Sequence, residues 1–113
     1  MKKAIKLITE ERKRQIEVEG WTAEHDAKHT TGQLAYAAAC YALPNNVINL
    51  YAESGMFISF KRWTLFPFAK SWWKPRPTNE RQERIRELTK AGALIAAEID
   101  RLLEMKEPEA LGK

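Results

Sequence analysis

The sequence predicts an all-α protein: a bundle of three main helices carrying an aromatic-rich loop or flap and completed by dimerisation. Three observations lead there. Two long stretches, residues 4–18 and 79–105, are rich in good helix formers and contain no proline. In the second, Ile85, Leu88, Leu94 or Ile95, Ile99 and Leu102 recur at three- and four-residue spacing, the period of a helix with an apolar face. Between the two, Ala35, Ala37, Ala38, Ala39 and Ala42 crowd one segment with side chains too small to fill a wide gap, so it needs close neighbours. Helices with faces this thin leave apolar surface uncovered, and a second copy of the chain would cover it.

Each element has its own local reason. The first helix is expected from Ala4 to about Val18, with Gly20 stopping it. Its Ile5, Ile8 and Ile16, with Leu7 and Val18 alongside, make only a loose apolar face. Residues 20–31 read as a polar loop holding Trp21, His25, Asp26 and His29. A second helix is expected from Thr30 or Thr31 to Leu43, broken by Pro44-Asn45-Asn46, and a short helix from Asn46 to Ser54, ended by Gly55. Residues 56–77 concentrate aromatics punctuated by Pro67, Pro75 and Pro77, which suits a loop or short extended element. Asn79 can cap the last helix with Gln82 as its capping-box partner, and the apolar period then runs to about Met105. Residues 1–113 thus read as one domain without internal repeats or low-complexity segments.

Composition narrows the class. Apolar residues make up 44% and charged residues 30%, as in a soluble globular protein. No run of uncharged apolar residues is long enough for a membrane span, and the apolar run after Met1-Lys2-Lys3 stops at Thr9-Glu10-Glu11, too soon for a signal sequence. The lone Cys40 permits no internal disulfide and fits a reducing cytoplasm. The net charge of +4 is unevenly placed: residues 1–60 hold seven basic and seven acidic side chains, residues 61–90 nine and three, residues 91–113 three and five. The surplus therefore sits in one segment, where Lys61, Arg62, Lys70, Lys74 and Arg76 interleave with Trp63, Phe66, Phe68, Trp72 and Trp73. Rings beside cations suit a stacked base over a phosphate; equally, such a segment can cover the bundle with its rings and turn its cations to water. No nucleic-acid-binding motif accompanies it, which argues against a polynucleotide partner.

Two further clusters could carry chemistry. Positions 87, 91, 94 and 98 share a helix face, so Glu87 and Glu98 bracket a small apolar patch with Lys90 near it. Either they line a cleft, or Glu98 and Asp100 pair with Arg101 or Arg86 at the surface. In the loop, His25, Asp26 and His29 are metal-capable, but their spacing matches no closed zinc pattern; a polar gate over a cleft, with Asp26 orienting its neighbours, is the alternative. Cys40, in an alanine-rich helix, reads as an inert structural cysteine.

Read together, several stretches resemble a family of dATP/dGTP diphosphohydrolase N-terminal domains found mostly in phages and prophages, remotely similar to the MazG-like all-α nucleotide pyrophosphohydrolases. They are Glu11-Arg12-x-Arg14-Gln15, Glu19-Gly20-Trp21-Thr22-x-Glu24-His25-Asp26-x-x-His29, Gly32-x-Leu34-Ala35-x-Ala37-Ala38, Trp72-Trp73-Lys74-Pro75, and Leu88-x-Lys90 through Leu102. The resemblance implies an all-α dimer or higher oligomer binding a nucleotide between helices, in the host cytoplasm if the chain is phage-encoded. In active MazG-like enzymes, ExxE and ExxD pairs hold Mg²⁺ on the triphosphate, and a dNTP is cleaved to dNMP and pyrophosphate. Laid on this chain the pairs fall at Gln33 and Tyr36 and at Glu87 and Lys90, and only Glu87 keeps a carboxylate.

The expectation is therefore a nucleotide-shaped cleft with a degenerate metal site. Glu87 and Glu98 are the expected catalytic and Mg²⁺-binding groups, with Asp26 a third metal ligand. Gln33, Trp72, Trp73, Lys74 and Lys90 are the expected substrate contacts. The alternative is a non-catalytic accessory protein that sequesters a nucleotide or docks on a host protein.

Overall fold

The computed structural model describes residues 2–68 and 80–105, and 62% of these are helical. Three main helices are present: α1 (Lys3–Glu17), α3 (Gln33–Ala42) and α4 (Arg81–Glu104), with a short α2 (Ala23–Ala27) after α1. Strands β1 (Val47–Tyr51) and β2 (Phe57–Lys61) form an antiparallel hairpin, and a single 3-10 turn follows at Arg62–Leu65.

Two local expectations are corrected. Residues 46–54 do not form a helix: Val47, Ile48 and Tyr51 are β-branched or aromatic and pair in register with Lys61, Phe60 and Phe57. Gly55, at φ 92°, takes the left-handed conformation that closes the hairpin. The polar segment after α1 is not all loop either. Thr22 Oγ1 accepts the backbone N–H of His25 at 3.3 Å, a side-chain N-cap that starts α2. Asn79, the expected cap of the last helix, lies outside the described residues; Arg81 opens α4 with Glu80 at its N-cap.

The core forms where α3 meets α4. Leu34, Ala37, Ala38 and Tyr41 pack on Ala91, Leu94 and Ala97, with Trp21, Phe66 and Phe68 closing the edge of the cluster. Alanines on both helices permit close approach, and Leu34 and Leu94 supply the bulk; fully burying each contributes about 1.5–3 kcal/mol. On another side of α4, α1 crosses at Gly92, where an added Cβ would meet Ile8 Cδ1 at 2.6 Å. The loose apolar pattern of α1 has a structural counterpart: its buried residues are Glu11 and Gln15, whereas Ile5, Leu7 and Ile16 are exposed. No helix among the described residues is long and apolar enough to cross a membrane.

Candidate functional site

Of the clusters of buried charge in the molecule, one lies where Arg14 and Arg86 meet Glu11, one between α1, α2 and the end of α4, and one at an end of α3. At its C-terminal end, the last carbonyls of a helix have no intrahelical partner and carry partial negative charge. Two guanidiniums meet them. Arg62 donates to Leu43 O at 2.7 Å, and Arg84 donates to Ala42 O at 2.9 Å and Leu43 O at 3.1 Å. Glu87 balances both arginines. Its Oε1 accepts from Arg62 Nη1 at 3.1 Å and from Arg84 Nη1 at 2.8 Å, while its Oε2 accepts from Arg62 Nη2 at 3.0 Å. Glu87 is 1% exposed and Arg62 2%, so the basic side chain expected to face water or phosphate is instead buried in the fold. Asn46 Oδ1 accepts from Arg62 Nε at 3.2 Å, and the Cys40 thiol donates to Arg62 O at 3.3 Å. Burial pushes that thiol up to about 11, consistent with an inert cysteine.

The second cluster lies where α1, α2 and the end of α4 meet. The turn after α1 passes through Gly20, at φ 78°, and sends α2 back alongside Arg12. Asp26, 2% exposed, accepts from Arg12 Nη2 at 3.0 Å, and Arg12 Nη1 also donates to Trp21 O at 3.3 Å. His25 Nδ1 lies 3.3 Å from the other oxygen of Asp26, so one buried carboxylate orients a guanidinium and an imidazole together. Rings continue the cluster. Trp21 lies parallel to His25, His25 meets His29 edge-on at 4.8 Å between centroids, and His29 meets Phe68 at 5.0 Å. Burial holds His29 below the ordinary imidazole value, helped by the neighbouring charge of His25 and opposed by Asp26. Arg12 Nε and His29 Nε2 are buried without a hydrogen-bond partner among the described residues.

Beside this cluster runs a groove of about 470 Å³. Ile16, Ala23, Ala27, Leu103 and Met105 make an apolar wall. Arg12 and Asp26 sit on one side, with Asp100, Arg101 and Glu104 across from them on α4. Arg101 is held in turn by Glu98, through Nε–Oε1 at 2.8 Å and Nη2–Oε2 at 3.0 Å.

The expected site residues are thus divided. Asp26 reaches the groove, and Glu98 reaches it through Arg101. Glu87 is eleven residues from Glu98, about 16 Å along one helix, so the two do not share a metal. Lys90 is near Glu87, its Nζ 5.4 Å from the Tyr41 ring centroid. Gln33, at the other end of α3, turns its Oε1 to the Thr31 N–H at 2.8 Å. Trp72, Trp73 and Lys74 lie outside the described residues. As a Mg²⁺ site the donor set fits poorly: Glu87 and Glu98 spend their oxygens on arginines, Asp26 divides its two between Arg12 and His25, and no group of three or more metal-capable side chains gathers among the described residues. The Glu98–Arg101 pair is one of the two arrangements the sequence offered, and Arg62, expected to face water or a phosphate, is instead a counter-ion of Glu87; Arg12 is the side chain whose importance the sequence concealed. The one signal was a helix whose Glu11, Arg12 and Gln15 fall together on one side while its aliphatics scatter.

Set against protein-family models, curated proteins and solved structures, the chain matches none.

Proposed function

We propose that this chain is a nucleotide-binding protein that holds its ligand in the groove between α2 and the end of α4 and does not hydrolyse it. One observation carries the reading: the carboxylates expected to hold Mg²⁺ are tied to guanidiniums, while the groove offers a concave apolar wall flanked by Arg12 and Arg101. The wall accepts a base and the arginines a phosphate. Asp26, Asp100 and Glu104 outnumber the two arginines there, so a ligand with a single phosphate suits the groove better than a triphosphate. The carboxylates at the rim can accept from the amino group of a purine.

The test is a thermal-shift titration with purine mono-, tri- and cyclic nucleotides, run with and without Mg²⁺ and paired with a pyrophosphate-release assay. A monophosphate or cyclic nucleotide should raise the melting point, by about 2.7 kcal/mol of stability at a free concentration one hundred times Kd. Arg101→Gln should weaken binding by roughly tenfold or more. Silence with every nucleotide overturns the reading. Mg²⁺-dependent release of pyrophosphate overturns its non-hydrolytic half.

A second reading has the hairpin behind it. Leu50 and Ile58 pair across the hairpin, as do Tyr51 and Phe57, and all four are exposed, which suits docking on a host protein. Replacing Tyr51 and Phe57 by Ser leaves nucleotide binding intact and abolishes capture of such a partner if that reading holds.

A further inference from the structure

We infer that the outer edge of β1 is a strand-addition site, on which an extended, uncharged segment of a partner protein pairs backbone to backbone. This rests on the hairpin reading above and adds to it the partner's conformation and the groups that hold it. The hairpin's own bonds locate the edge. Ala52 N–H donates to Met56 O at 2.8 Å, and Arg62 N–H donates to Asn46 O at 3.0 Å. Bonded pairs recur at every second residue of an antiparallel ladder, so Ile48 opposite Phe60 and Leu50 opposite Ile58 are the pairs that exchange bonds between them. Val47, Asn49 and Tyr51 therefore turn their N–H and C=O groups away from β2, and no third strand meets them among the described residues.

Donors and acceptors at alternate residues, along about 17 Å of backbone, are matched in spacing by another extended chain. Soluble proteins usually guard such an edge with lysine, proline or a bulge. β1 has no such guard: Val47-Ile48-Asn49-Leu50-Tyr51 holds no charge and no proline, and it pairs with β2 residue for residue. The outer edge of β2 is different, because it ends in Lys61, whose carbonyl already accepts the Thr64 hydroxyl at 2.7 Å. The side chains of β1 suit the same occupant. Leu50 is 52% exposed on one face, and Val47 and Tyr51 are 50% and 79% exposed on the other. An added strand thus finds an apolar neighbour on both of its faces, which favours β-branched and aromatic residues in the partner. A charged side chain there would meet no counter-charge on β1.

The experiment is amide hydrogen exchange by NMR on the full chain, with an acetylated heptapeptide of alternating valine and threonine as the probe. In the free chain the amides of Val47, Asn49 and Tyr51 should exchange faster than those of Ile48 and Leu50. Saturating peptide should slow the first group by about tenfold or more. Asn49→Pro removes an outward donor without touching the hairpin's own ladder, and should weaken binding by roughly tenfold. Ser59→Pro, the matched change on the outer edge of β2, should leave binding unchanged. A fully N-methylated peptide should not bind the unaltered chain, a control that requires no variant to fold. Protection of the Val47, Asn49 and Tyr51 amides in the free chain, no slowing with peptide, equal losses from the two prolines, or binding of the methylated peptide overturns the edge. Binding that is lost when Tyr51 and Phe57 become Ser, yet leaves those amides exchanging as before, overturns strand addition alone and leaves docking on the hairpin's face standing.

Discussion

Arg62 and Glu87 meet fork to fork in the interior, at 3.1 and 3.0 Å, from a 3-10 turn and a helix that are 25 residues apart in sequence. The pair joins the end of the hairpin, the C-terminus of α3 and the first half of α4 in one network. Desolvating two charges is costly, so the network is stable only while every member keeps its partners. Removing Glu87 takes away the carboxylate that the buried Arg62 and the partly buried Arg84 share. Glu87→Gln should therefore cost about 3–5 kcal/mol of stability, read as a lower urea midpoint. A variant as stable as the parent would contradict the structural role assigned to this carboxylate.

Stability should fall on acidification in two steps. Glu11 is buried, which by itself raises its pKa, but hydrogen bonds from Arg14 and Arg86 outweigh burial and leave the carboxyl below its ordinary value. The unfolded chain then binds the proton more readily, so this contribution is present above about pH 4.5 and is lost as pH falls through the folded value. His29 is also depressed, so its stabilising effect is complete above about pH 6.5 and declines below it. Urea midpoints should drop between neutral and mildly acidic pH in the parent, and His29→Phe should flatten that first step while leaving the carboxylate step in place.

Gly92 is required by the crossing of α1, not by its backbone angle. A methyl at this position lies 2.6 Å from Ile8 Cδ1 and 2.9 Å from Ile8 Cγ1, so Ile8 must shift. Alanine gains about 1 kcal/mol in helix propensity, against about 1–3 kcal/mol for overpacking. Gly92→Ala should be mildly destabilising in the parent and stabilising in an Ile8→Ala background. Equal effects in the two backgrounds, measured as a double-mutant cycle, would refute the contact.

Cys40 should resist thiol reagents. It is fully buried, its thiol is pushed up to about 11, and it donates to a backbone carbonyl. At neutral pH its modification rate should follow global unfolding and rise with urea in parallel with the unfolded fraction. Rapid labelling of the native chain would contradict its placement.

Much of the scaffold was legible in the residues. The 3-4 spacing of α4, the alanine run of α3 and the breaks at Gly20 and Pro44 are local signals, and the helices begin and end within a few residues of where they point. The hairpin was missed because Val47–Tyr51 is short, and five apolar-rich residues suit either a strand or a helical turn until a partner strand pairs with them. The candidate site was only partly legible. Asp26, His25 and His29 stood out by type and do gather in one cluster, of which Asp26 alone lines the groove. Glu87 stood out too, but its partner Arg62 could not be found from spacing.

Composition and periodicity determine which segments are helical and which faces are apolar, because both depend on residues a turn or two apart. Which charges meet depends on how the segments cross, and that is a property of the packed molecule. Glu87 carries the same carboxylate whether it faces water, a cation or two guanidiniums. Only the approach of the 3-10 turn to α4 at the end of α3 makes it the counter-ion of a buried clamp rather than a free ligand.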